Sequence, residues 1–233
     1  MELESSVISK SCIWQLLREV WRGKSMARTL MNHAVAQTIV SGRILDLGSK
    51  SDEASYNRFL QRTAGSTMAY SDIQTAGENV VRIDLEKPFA ISDASYDTVT
   101  CFNTLEHIYH FENVIHEAYR ILKPGGTFIG GTPFLVNFHP DPHDYFRYTH
   151  EAVEKIFAEA GFTGERMMFL GYGPLTAGTA LFLHVLPKFL RPLIVLKVIF
   201  FDWIILKFKP SQRMRYPLGY AYVFRKAMTN NAL

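Results

Sequence analysis

Three aspartates, Asp46, Asp72 and Asp84, each close an apolar run of the chain, at 43–46, 68–72 and 80–84. If those runs are parallel strands, their carboxyl ends share one edge of a sheet, which is where open α/β sheets bind ligands. Three carboxylates there accept hydrogen bonds from amines and hydroxyls, and they suit such a ligand better than a phosphate. A second concentration of reactive side chains lies at 133–149. Pro133, Pro140 and Pro142 stiffen that stretch, and it carries His139, Asp141, His143, Asp144, Tyr145, Phe146, Arg147 and Tyr148. Histidine has an unperturbed pKa near neutrality, so His139 and His143 are candidate bases. Asp144 is placed to orient a histidine, and Arg147 to grip a phosphate or carboxylate in a bidentate pair.

The elements that must position these groups alternate. Strands are predicted at 43–47, 67–71, 80–83, 97–102 and 126–132, with helices at 52–64 and 111–122. Short connections between apolar strands imply parallel crossovers. Lys123-Pro124-Gly125-Gly126 stops a helix and turns the chain into a strand. Thr149 is a plausible N-cap for a helix that Gly161 ends. Strands at 166–170 and 220–225 complete an antiparallel pair. Before all of this, residues 5–40 read as two helices broken near Gly23, with Ile13, Leu16, Leu17, Val20 and Trp21 forming an apolar stripe. The fold class is therefore α/β, a doubly wound Rossmann-like sheet. It divides into a helical leader at 1–40 and a domain at 41–233 that contains a helical insertion at 175–209.

The order of these motifs over residues 40–165 resembles class I S-adenosylmethionine-dependent methyltransferases of the type 11 domain kind. They are the acidic-glycine turn at Asp46 and Gly48, the aspartates after the next two strands, the strand 96–101 with its loop Asn103-Thr104-Leu105-Glu106-His107-Ile108, and the turn 122–126. The resemblance implies S-adenosyl-L-methionine as cofactor. Asp46, Gly48 and Ser49 would approach its methionine part. Asp72 with Ile73 would take the ribose hydroxyls, Asp84 with Leu85 the adenine amine, and Asn103 and His107 would shape the pocket beneath. The leader can lid the cofactor in such proteins, with His33 a member of the lid or an ordinary half-buried histidine. The second glycine of the family's turn is replaced by Lys50.

A proline-rich loop ending in His-Asp-Tyr-Phe-Arg also resembles type 11 methyltransferases of surface-glycan synthesis. That resemblance makes 133–149 the acceptor loop, with His139, His143 and Asp144 as its catalytic groups. Tyr145 and Tyr148 would stack on a sugar, and Arg147 would bind the acceptor. The other reading of the loop is a structural Asp144–Arg147 ion pair with packing aromatics. His139, Asp141, His143 and Asp144 also offer nitrogen and oxygen ligands, but their spacing matches no closed zinc pattern, and no metal is assigned.

The insertion holds two apolar runs split by Pro187 and Pro192, with Lys197 and Asp202 inside the second. Neither reaches the roughly 20 residues of a spanning helix. From 181 to 215 there are seven basic residues against Asp202 alone. That pattern fits a helix lying in a membrane interface, or one packed on the core or on a second subunit as a homodimer. The chain has 233 residues, of which 48% are hydrophobic and 20% charged, and a net charge of +3. This composition excludes disorder and gives no case for nucleic acid. Cys12 and Cys101 make no disulfide framework, and the acidic amino terminus shows no signal peptide, so a cytoplasmic setting is expected, peripheral at the inner membrane face. The expected activity is O-methylation of a sugar or lipid-linked glycan hydroxyl. The alternatives are a quinone or other lipophilic acceptor, and an inactive scaffold.

Overall fold

The computed structural model describes residues 1–5, 9–49, 56–74 and 77–228. In chain order the elements are β1 (Glu2–Ser5), α1 (Lys10–Trp21), α2 (Met26–Val35), β2 (Ile39–Val40), β3 (Arg43–Asp46), β4 (Gln61–Arg62), β5 (Thr67–Asp72) and β6 (Val80–Arg82). Then come β7 (Tyr96–Phe102), α3 (Phe111–Ile121), β8 (Leu122–Pro133), α4 (His150–Glu159), β9 (Phe162–Leu170), α5 (Pro174–Phe182), α6 (Arg191–Phe208) and β10 (Gly219–Lys226).

Eight strands form one sheet in the order β1-β9-β10-β8-β7-β3-β5-β6. Strands β8, β7, β3, β5 and β6 run parallel, and β10 lies antiparallel between β8 and β9. The central strand β7 is buried at nearly every position, as a parallel strand covered on both faces must be. The carboxyl ends of β3, β5 and β7 therefore share one edge. Strand β1 pairs in parallel with β9, so the amino-terminal segment extends the same sheet. Nothing in its short polar sequence announces a strand. The pairing partner supplies the register.

Local chemistry fixes the helix starts. Ser9, Ser25 and Thr149 each accept a hydrogen bond from a first-turn backbone N–H, at 3.2 Å in all three cases. One face of the sheet packs against α3 and α4 through Val114, Ile115, Phe128, Phe157 and Tyr222. The other face packs against α1, α2, α5 and α6 through Leu16, Leu30, Ile44, Val195 and Ile199. The helix expected over 52–64 is not present over the described part of that range. Asn57–Phe59 form one 3-10 turn, and β4 pairs with β2. Asn57 turns inward there to serve Asp46, which breaks any helical run. Lys50 and residues 51–55 lie outside the described residues.

The insertion is a helical pair. Asp202, fully buried on α6, accepts the backbone N–H groups of Leu175 (3.0 Å) and Thr176 (2.7 Å) at the start of α5. The acidic residue that interrupts the apolar run of α6 is thus the N-terminal cap of its neighbour, where a carboxylate also complements the helix dipole. A side chain on Gly173 would collide with it: a Cβ there would lie 2.5 Å from the Asp202 carboxyl carbon.

Candidate active site

Asp46 ends β3 and is 2% exposed. It accepts hydrogen bonds from the Thr100 hydroxyl (2.5 Å) and from Asn57 Nδ2 (3.1 Å), and Asn57 also donates to the Ser49 hydroxyl (2.9 Å). Burial pushes the Asp46 carboxyl up to about 7, against those two hydrogen bonds. Asp46 and Ser49 therefore brace the turn after β3 from inside. Gly48 follows at φ +92°, and a Cβ there would sit 2.6 Å from the Thr104 side chain. Glycine is required because the loop after β7 presses on this turn.

A cavity of about 760 Å3 opens along the sheet edge. Gly48, Asp72, Ile73, Asp84, Leu85, Asn103 and His107 all line it, so seven of the nine residues assigned to the cofactor meet there. Asp72 is buried and holds the Gln74 N–H at 2.6 Å. Asp84 is held below the usual carboxylate range by Lys87, whose Nζ lies 2.8 Å away, and by the Glu86 N–H. The walls fit S-adenosylmethionine: carboxylates for hydroxyls and an amine, and apolar Ile73, Ile83 and Leu85 for a flat base. His33 lines a different hollow, with Glu4 and Arg166.

Hydrogen bonds clamp the loop after β8 onto the turn after β7. The Tyr145 N–H donates to the Glu106 carbonyl (2.8 Å), the Tyr148 hydroxyl to the Leu105 carbonyl (3.2 Å), and His107 Nδ1 to the His143 carbonyl (2.5 Å). The side chains divide accordingly. Tyr148 is 7% exposed and packs on Phe111 and Phe146, so it is a core residue and unavailable to stack on a sugar. Arg147 makes a bidentate pair with Asp144, at 2.5 and 2.7 Å, and also binds the Phe146 carbonyl. Its guanidinium holds Asp144 well below the usual carboxylate range. The pair is therefore a brace and does not grip an acceptor. Tyr145 and His143 lie ring against ring (5.3 Å) on the wall of the cavity at the sheet edge.

His139 takes a different position. Its backbone N–H donates to Asp144 (2.9 Å), and its Nδ1 lies 2.9 Å from the Asn137 carbonyl. Its Nε2 points toward Glu106, 3.8 Å away, and that carboxylate raises the imidazole pKa above its ordinary value against the opposing effect of burial. Glu106 itself is fully buried. Sequence reasoning passed over it as one letter of a loop motif. Its sole signal there is an acidic residue beside a histidine in a turn that follows a buried strand.

A second cavity, about 330 Å3, lies on the other side of Asn103. Its walls are the 23–28 turn between α1 and α2, the 133–139 loop, and Ala180, Leu183 and Arg191 of the insertion. Asn103 lines both cavities, while His107 lines the first and His139 the second. Asn103 is held at φ +48°, a conformation uncommon outside glycine, and its Nδ2 donates to the Tyr56 hydroxyl at 2.9 Å.

Residues 58–130 match the methyltransferase domain family. A curated relative from Psychrobacter arcticus, a ubiquinone biosynthesis O-methyltransferase, is 24% identical over 164 residues, which is 63% of this chain and 60% of the relative. The chain thus spans about three fifths of the length of that relative. Among solved structures, an S-adenosylmethionine-dependent methyltransferase from Mesorhizobium loti superposes with a TM-score of 0.53 at 14% identity, covering 88% of this chain and all of that one. The [4+2]-cyclase SpnF superposes with a TM-score of 0.55 at 13% identity over 98% of each chain. The matched segment is a methyltransferase domain, and the fold is one that solved S-adenosylmethionine-dependent methyltransferases share. The cyclase shows that the fold alone does not fix the reaction.

Proposed function

We propose that the protein is an O-methyltransferase acting on a hydroxyl of an amphipathic acceptor. The observation that carries this reading is the pair of cavities meeting at Asn103, one lined with carboxylates for the donor and the other open to an acceptor. When bound, S-adenosylmethionine supplies a methyl group already activated on a positively charged sulfur, so much of the remaining work is positioning. Asp72 and Asp84 orient the donor. Asn103, His107 and His139 form the wall through which the acceptor oxygen reaches it. The hydroxyl proton is lost beside Glu106, His107 and His139. The second cavity sets apolar Met26, Leu135 and Leu183 beside Lys24, Arg28 and Arg191, which suits a polar head on an apolar tail.

A lipid-linked sugar is the first acceptor class, on the strength of the loop resemblance. A quinone precursor is the second, favoured by the name of the Psychrobacter relative. Contact with a membrane surface belongs to either reading. Leu193, Phe200, Phe201, Trp203 and Phe208 of α6 are exposed, alongside Phe189 and Val185, in a segment rich in lysine and arginine. No helix among the described residues is long and apolar enough to cross a membrane.

The test combines calorimetric titration of S-adenosylmethionine with transfer of labelled methyl into two extracts, one of lipid-linked glycans and one of polyprenylated phenols. One-to-one donor binding with label in either extract is expected. A folded protein that binds no donor overturns the reading.

A further inference from the structure

Glu106 is an anomaly that donor binding leaves unexplained. Its side chain is fully buried, and neither carboxylate oxygen has a hydrogen-bond partner among the described residues. A buried, unsatisfied carboxylate is strongly unfavourable unless something of opposite charge meets it. Two imidazole nitrogens face it: His107 Nε2 at 3.7 Å and His139 Nε2 at 3.8 Å from Oε1. Both distances exceed a charge-assisted hydrogen bond, which runs about 2.7–2.9 Å.

The far side of each ring decides what these nitrogens offer. His107 Nδ1 lies 2.5 Å from the His143 carbonyl, which only accepts, so that nitrogen carries the proton. His139 Nδ1 has two neighbours, the Asn137 carbonyl at 2.9 Å and Arg147 Nη2 at 3.3 Å. The carbonyl is nearer, and the Asp144 carboxylate 3.5 Å away adds to it, so this proton also sits on Nδ1. In that neutral tautomer each ring turns a lone pair on Nε2 toward the carboxylate. Three lone-pair donors converge with no proton between them, and the donor atoms all lie within 4.8 Å of one another. The rings stand edge to face, with centroids 5.2 Å apart.

We propose that Glu106, His107 and His139 are a binding site for a divalent cation of the first transition row, placed where the two cavities meet. Two imidazoles and one carboxylate suit borderline metals such as zinc, cobalt or manganese. Metal–ligand bonds of about 2.1 Å put tetrahedral neighbours about 3.4 Å apart; the two Glu106–imidazole separations are within a few tenths of an ångström of that, and all three atoms already lie within 4.8 Å of one another. The backbone carbonyls on Nδ1 are the outer-shell partners that fix tautomer and orientation in such sites. Three protein ligands leave coordination positions open. With His107 on the donor cavity and His139 on the second, an acceptor oxygen can occupy one of them. There the O–H bond ionises, its proton going to solvent, and the oxygen stays on the cation as the nucleophile. This inference rests on the methyltransferase reading for its use, though not for the binding itself. The sequence pointed to a different set, of which only His139 belongs; Asp141, His143 and Asp144 do not join it.

The experiment titrates Co2+ into chelator-treated protein and follows visible absorption and bound metal. One equivalent with d–d bands is expected. Glu106→Gln and His139→Asn, each with unfolding behaviour checked, should each weaken binding at least about 100-fold. No saturable binding by the wild-type chain, or equal binding by both variants, overturns the proposal. That result would leave Glu106 paired with protonated histidine. Donor titration of the metal-free protein separates the two readings. Donor binding without cobalt binding sinks the site alone, and cobalt binding without donor binding sinks the methyltransferase reading alone.

Discussion

Asp144 and Arg147 show how burial changes the meaning of a residue. The carboxylate side chain is 1% exposed, so removing its partner strands a charge. Arg147→Met should destabilise the fold by about 3–5 kcal/mol in denaturant titrations. Its donor affinity should remain near wild type, because the pair does not line the donor cavity. Asp72→Ala should do the reverse, weakening S-adenosylmethionine about tenfold or more through the loss of charge-assisted hydrogen bonds, as read by calorimetry. Unchanged affinity would remove Asp72 from the donor site. Asp72 and Asp84 were legible in the sequence because strand ends announce themselves by pattern. For Tyr148 and Arg147 the sequence left two readings open, and the structure takes the one with an ion pair and packing aromatics. Phe111 and the Leu105 carbonyl bury Tyr148, and Asp144 claims Arg147.

Elements are fixed by contacts that sequence periodicity does not encode. The segment after β6 is held by Arg120 of α3, which bonds the Phe89 and Ile91 carbonyls and pairs with Glu117 at 2.7 Å. Hydrogen bonding from Arg120, opposed by burial, holds the Glu117 pKa below its ordinary value. A depressed folded-state pKa contributes stability that is complete above the unfolded value, about 4.3, and is lost as pH falls through the folded one. Glu117→Gln should therefore flatten the decline of unfolding free energy below about pH 4.3, measured by denaturant titration across pH. In the insertion, Asp202→Ala orphans two N–H groups of α5. It should cost about 2 kcal/mol and speed amide exchange at Leu175 and Thr176 first. The parallel strands were readable from their apolar runs. The 57–62 segment was not, because Asn57 answers a buried carboxylate from a distant strand, and distance in space leaves no period.

At the scale of the whole molecule, the exposed face of α6 and the basic segment around it define one side. Replacing Phe200, Trp203 and Phe208 together with serine removes exposed apolar area without touching the core, so stability should hold while binding to anionic vesicles falls in sedimentation assays. Raising salt should weaken the wild-type interaction as well. If vesicle binding survives and the protein instead elutes as a smaller species, that side joins two copies of the chain.

The insertion leaves the sheet through a narrow neck. The Leu218 N–H donates to the Leu170 carbonyl at 2.6 Å, and the Phe134 N–H to the Leu218 carbonyl at 2.9 Å. Gly171 meets Tyr216 there so closely that a Cβ would lie 2.8 Å from its carbonyl oxygen. Everything between departs from and returns to one point of the scaffold. The donor cavity is drawn from other stretches, chiefly 48–108 and 141–145. The chain is thus modular: the insertion can change in sequence without altering the stretches that line the cavity at the sheet edge.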